Sequence, residues 1–200
     1  MVPRLAIRYN TLRLAIFGTN IHVKHIVAVL FLLTALIVAP AGAISCASPQ
    51  TAAQALPPTG WQIGNLAPEF SLVNPEGKSV SLSDFRGKPV LINFWATWCP
   101  SCQLEMPFLQ QVYNDRSGKG LVFLAIDTGE SPAKVKEFFT SKGLSLPVLF
   151  DFTGSTSDKY GVSAIPTTFF IDGNGVIKQK MVGAFPSTRA IEVQLRTIMP

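Results

Sequence analysis

An α/β fold, a mixed sheet with helices on both of its faces, is predicted from three features of the chain. Short apolar runs, such as Pro89–Phe94, Leu121–Ile126 and Val148–Phe150, alternate with longer stretches that suit helices. Asp172-Gly173-Asn174-Gly175 lies between two strand-like segments and predicts a terminal hairpin. A last helix-like segment, Ser187–Ile198, then closes the chain.

In order along the chain, Ala67–Val73 alternates weakly, Asn74-Pro75-Glu76-Gly77 supplies turn chemistry and Ser79–Leu82 follows, so an N-terminal β-hairpin is expected. Ser83–Lys88 is a turn before the central strand Val90–Phe94. A helix is expected from Cys99 to about Asp115, kinked at Pro107, where the ring removes a backbone donor and crowds the preceding turn. Leu121–Ile126 is a buried strand, and Ser131-Pro132 opens a helix to about Ser141, with proline at the favourable first position. Val148–Phe150 is a short strand and Ser155–Tyr160 a short helix. Thr167–Ile171 and Val176–Met181 form the terminal hairpin, and Ser187 is the expected N-cap of the closing helix.

The N-terminal quarter has a different character. Residues 1–46 are expected to be a signal or membrane-anchor segment, residues 47–59 a flexible linker rich in small residues and proline, and residues 60–200 the folded domain. The apolar block Ile26–Ala39 is broken only by Thr34, and Arg4, Arg8, Arg13 and Lys24 all precede it. From residue 60 onward 13 Lys and Arg face 12 Asp and Glu, so the domain is nearly neutral and all but one of the five net positive charges lie in the N-terminal flank. Such a flank stays on the cytoplasmic side of a membrane and carries no implication of nucleic-acid binding. Ala43-Ile44-Ser45-Cys46 resembles a bacterial lipobox, although Ala43 stands where leucine is usual. Lipid attachment at Cys46, an uncleaved anchor and ordinary cleavage after Ala43 all place the domain outside the cytoplasmic membrane of a bacterial cell.

Both histidines, His22 and His25, also lie in that flank. The domain therefore has no Ser-His-Asp or Cys-His nucleophile pair and no His-ligated metal of its own. With two cysteines it cannot build a four-thiolate zinc site, and no cofactor is expected. What it does have is Trp95-Ala96-Thr97-Trp98-Cys99-Pro100-Ser101-Cys102. A strand feeding two cysteines onto the first turn of a helix makes a reactive thiol, because the helix N-terminus stabilises a thiolate. Cys-x-x-Cys spacing lets the pair switch between dithiol and disulfide.

The Trp-Cys-x-x-Cys after a strand, the proline eight residues past the first cysteine and Gly161–Thr167 before a terminal hairpin together resemble the thioredoxin fold. More narrowly, they are similar to the membrane-tethered, extracytoplasmic ResA, CcmG and TlpA group, from about Gly64 to the C-terminus. The opening Ala67–Leu72 with the later Gly87-Lys88-Pro89-Val90 is similar to the N-terminal hairpin of that group and of peroxiredoxins, whose Pro-x-x-x-Thr-x-x-Cys pattern is absent around Cys99.

The resemblance implies an exposed attacking Cys99 thiolate and a buried resolving Cys102. It also implies a cis Pro166, with the Ile165 backbone pairing with an extended substrate. Glu105, three residues past Cys102, shares its helical face; the resemblance makes it a proton carrier for Cys102, with a raised pKa where it is partly desolvated. Asn93 stands where thioredoxin has a buried acid, which leaves Glu105 to that duty. Trp98 would cap the exposed sulfur on the substrate surface, with Trp95 supporting it in the core.

Pro100-Ser101 between the cysteines brings no histidine, which favours a reductase. Asp127 and Thr128 are read as loop capping. The implied partners are apocytochrome c, through its Cys-x-x-Cys-His disulfide, or other exported disulfide proteins, with a CcdA- or DsbD-type membrane thiol transporter as electron donor. Two alternatives stay open: a general reductase of exported proteins, and a thiol-based copper carrier.

Overall fold

The computed structural model describes residues 56–199. The apolar block at Ile26–Ala39, Cys46 and the linker up to residue 55 lie outside the described residues. Among the described residues no helix is long and apolar enough to cross a membrane.

The N-terminal hairpin pairs β1 (Ser71–Val73) antiparallel with β2 (Ser79–Ser81). Its turn is closed by the Asn74 carboxamide oxygen, which accepts the N–H groups of Glu76 and Lys78. The expected strand end at Leu82 is instead the start of a 3-10 turn, Leu82–Phe85, because Ser81 and Asp84 form a capping box.

The central strand β3 (Val90–Trp95) is buried at all six positions. Burying an apolar side chain is worth about 1.5–3 kcal/mol, so this run belongs in the middle of the sheet. β3 leads through α1 (Pro100–Arg116) to its parallel neighbour β4 (Val122–Asp127). β4 leads through α2 (Pro132–Lys142) to β5 (Val148–Phe150), again parallel. The short α3 (Ser155–Lys159) precedes β6 (Thr167–Ile171), which runs antiparallel to β3, then β7 (Ile177–Val182) and α4 (Thr188–Leu195). The strand order is β2-β1-β5-β4-β3-β6-β7.

Alternation along β3 and β4 divides the core. Leu91, Trp95, Phe123 and Phe170 face α1, α2 and α4, while Ile92, Phe94, Leu124 and Phe169 face Tyr160, Phe70 and Leu82 on the other side. The expected two-faced covering is present.

The differences from expectation sit at element ends. Cys99 is the N-cap of α1, not its first residue; as expected, Pro107 lies inside one continuous helix. β7 begins one residue late because the Asp172 carboxylate accepts the N–H groups of Asn174 and Val176 and holds Val176 in the turn. α4 stops at Leu195, where Thr197 turns its backbone N–H and hydroxyl onto the Gln194 carbonyl.

The chain ahead of the hairpin is bonded to the domain from Pro58 onward: Leu66 N–H donates to Pro58 O and Gly60 N–H to Leu66 O. Trp61 lies over Gly161, whose φ is +56° and where a Cβ would come within 2.8 Å of the indole. Only glycine meets both conditions.

Candidate active site

The site forms where the C-terminal ends of the parallel strands β3 and β4 bring their loops together. Trp95 ends β3, and the chain turns through Ala96, Thr97 and Trp98 into the N-terminus of α1. Cys99 caps that helix with its sulfur: Sγ accepts the Cys102 N–H at 3.1 Å. Pro100 takes the first helical position, where a missing N–H costs nothing. Cys99 and Cys102 are joined in a disulfide. Ser101 places its hydroxyl 3.4 Å from the Cys99 sulfur.

The cis Ile165–Pro166 peptide lies against the same sulfur, with Ile165 O 3.6 Å from Cys99 Sγ. That neighbour corrects one expectation. In the disulfide form Cys99 is 3% exposed, not open to solvent, and Cys102 is fully buried. The exposed element is Trp98, at 61%. Trp98 and Ile165, with Thr128, Val162 and Ala164, line a shallow groove of about 450 Å³. Trp95 is core: it is fully buried and packed against Phe138 and Phe139.

One helical turn beyond Cys102, Glu105 is fully buried. Its Oε2 accepts the Phe185 N–H and its Oε1 accepts the Asn93 amide, each at 2.9 Å. Asn93 also donates to the Thr168 hydroxyl at 2.9 Å, so one carboxamide joins the carboxylate to β6. Burial pushes the Glu105 pKa up to about 7, against the opposing pull of the Phe185 and Asn93 bonds. A carboxyl that titrates near neutrality can take or give a proton under working conditions.

An acidic pair that the sequence pattern does not single out, Asp127 and Glu130, lies beside the site. Asp127 caps its loop as expected, its Oδ1 accepting the Glu130 N–H at 2.7 Å. It is also fully buried, and burial with the neighbouring Glu130 raises its pKa. Glu130 is buried too. That burial raises its pKa, but bonds from Lys134 and from the N–H and hydroxyl of Thr97 more than offset the rise and keep it low. The available signal was topological. Glu130 follows β4 and Thr97 follows β3, and adjacent parallel strands bring such loops together.

Residues 63–180 match the AhpC/TSA family model, more than half of the chain. The chain belongs to the AhpC/TSA family. Within it, the thiol-disulfide oxidoreductase ResA of Geobacillus thermodenitrificans is 37% identical over 71% of this chain and 81% of its own length. Among solved structures, a Chlorobium tepidum protein assigned as thiol:disulfide interchange protein DsbE is 33% identical. It covers 68% of this chain and 97% of its own, with a TM-score of 0.64. The exposed lipoprotein thioredoxin of Streptococcus pneumoniae is 32% identical, over 66% of this chain and all of its own, with a TM-score of 0.56. With a Cys-x-x-Cys pair on a helix terminus of a thioredoxin fold, this member of the family is a thiol-disulfide oxidoreductase.

Proposed function

We propose that this enzyme is a membrane-tethered, extracytoplasmic reductase whose client is the Cys-x-x-Cys-His disulfide of apocytochrome c. The observation that carries the reductive direction is Pro100-Ser101, which brings no histidine to stabilise the Cys99 thiolate; Glu105, a buried carboxyl near neutrality on the helical face of Cys102, supports proton transfer at the resolving step. The Cys99 thiolate attacks one client sulfur; the client S–S bond breaks, a mixed disulfide forms and the other client sulfur leaves as a thiolate. Cys102 then gives its proton to Glu105 and attacks the Cys99 sulfur. The mixed disulfide breaks, its client sulfur leaves as a thiolate, and the Cys99–Cys102 disulfide remains; the two client thiolates take one proton passed on by Glu105 and one from water, so the client departs as a dithiol carrying two electrons. A CcdA- or DsbD-type thiol transporter returns two electrons to the pair.

The groove beside Trp98 and the Ile165 backbone supply a place for an extended client segment. The sequence resemblance to the extracytoplasmic ResA, CcmG and TlpA group supports the cytochrome client, and the lipoprotein relative supports attachment through Cys46. The domain boundaries proposed are 1–46 for the anchor, 47–59 for the tether, whose last two residues already bond to the domain, and 60–200 for the enzyme.

The test of direction is the reduction potential of Cys99/Cys102 in the full chain, equilibrated against thiol buffers. A value near or below about −250 mV is expected, and one near about −120 mV would make the protein an oxidant. The client is tested separately: deletion should deplete holocytochrome c, and normal levels would remove apocytochrome c as the substrate. Cys46→Ser should release the protein from the detergent phase if a lipid at that residue holds it.

A further inference from the structure

Thr97 sits between the buried end of β3 and Cys99, next to an indole that is mostly in solvent. Every polar group it has is engaged. Its N–H donates to Glu130 Oε2, and its hydroxyl donates to Glu130 Oε1 at 2.7 Å. Its carbonyl accepts Gln103 Nε2 at 2.7 Å, while the Gln103 N–H donates to Cys99 O at 3.1 Å. Glu130 is itself fixed, by its N–H to Asp127 Oδ1 and by an ion pair with Lys134, four residues on in the first turn of α2. A rigid anchor on the β4 loop thus grips the peptide that aims Cys99.

The aim matters because the Cys99 sulfur accepts the Cys102 N–H. That bond, at the positive end of α1, favours the thiolate over the thiol. A loop free to swing would carry the sulfur off the helix terminus. We propose that Glu130 and Gln103 are positioning residues, which hold Thr97 and through it keep the Cys99 sulfur on the α1 N-terminus for attack. The inference needs only thiol–disulfide exchange and stands whatever the client.

Charge and position make opposite predictions for Glu130. A carboxylate acting only through its charge disfavours the neighbouring thiolate, so removing it would make Cys99 more reactive. A carboxylate acting as an anchor makes Cys99 less reactive when lost. Gln103 carries no charge, so Gln103→Met isolates position.

The experiment is the pH profile of iodoacetamide alkylation of the reduced full chain, followed by mass spectrometry on the Cys99 peptide. Both Glu130→Gln and Gln103→Met are expected to raise the Cys99 pKa. Alkylation near pH 7 should slow about two- to fivefold, the effect of an anion's contact with a helix terminus. Faster alkylation in Glu130→Gln, or a Gln103→Met profile that overlays the wild type, would overturn the proposal. Should Glu130→Gln fail to fold, Gln103→Met decides alone.

Discussion

Replacing Glu105 by Gln removes a buried acid whose pKa stands at about 7 against an ordinary 4.5. The consequence for stability has a definite sign. Between those two values the folded protein holds a proton that the unfolded chain has lost, so stability falls as pH rises through the window. At about 1.36 kcal/mol for each unit of pKa difference, the wild type loses about 3 kcal/mol from this one group, starting near pH 4.5 and complete once pH has passed 7. The Gln variant should not show that loss.

The site can accept the amide. Turned over, the Asn93 carboxamide presents Oδ1, which has no hydrogen-bond partner, to the new amide, and the Thr168 hydroxyl can donate in its turn. The assay is urea unfolding of the oxidised full chain by tryptophan fluorescence, between about pH 4 and pH 8. Oxidation keeps Cys99 and Cys102 out of the titration. Asp127, also raised, titrates in both proteins, so the difference between the two curves isolates Glu105. Parallel curves over the whole range would refute the claim that Glu105 is buried and protonated at mildly acidic pH.

Asn93→Asp should set a second carboxyl beside Glu105, where the amide now sits 2.9 Å away. Two carboxylates at that distance cannot both ionise freely, so the variant should lose about 3 kcal/mol more than the wild type on going to pH 8; the same urea series measures it, and equal losses would count against the shared buried site. Tyr160→Phe removes a hydroxyl that donates to Pro68 O at 2.8 Å inside the core. The urea midpoint should fall by the equivalent of about 1–2 kcal/mol at constant m-value, with the disulfide exchange rate unchanged; a changed rate would mean that this face of the sheet reaches the active site.

Much of the domain follows from local rules. β5 and β6 fall on their expected residues because short apolar runs bounded by turn residues have few other homes. Ser131 and Ser187 cap their helices as their types predict. The element ends that moved did so for reasons a linear pattern cannot carry: Asp172 reached into its own turn, and Thr197 took a carbonyl from α4.

The functional pair was also legible. Cys99 and Cys102 are close in sequence, so their meeting on one helical turn needs no knowledge of the rest of the fold. The same holds for Glu105, one turn further along the same helix. The environment of these residues was decided elsewhere. Glu105 is buried and raised because Phe185, 80 residues away, and Asn93 on β3 close around it. Cys99 is covered because Ile165 comes from 66 residues downstream. Thr97 is gripped by a glutamate 33 residues on, on the next parallel strand's loop. By itself the sequence determined which side chains gather on the first two turns of α1, since side-chain type and helical spacing are local. Only the tertiary structure decided their burial, aim and proton affinity, because those depend on desolvation and hydrogen bonds from strands that meet only in the folded sheet.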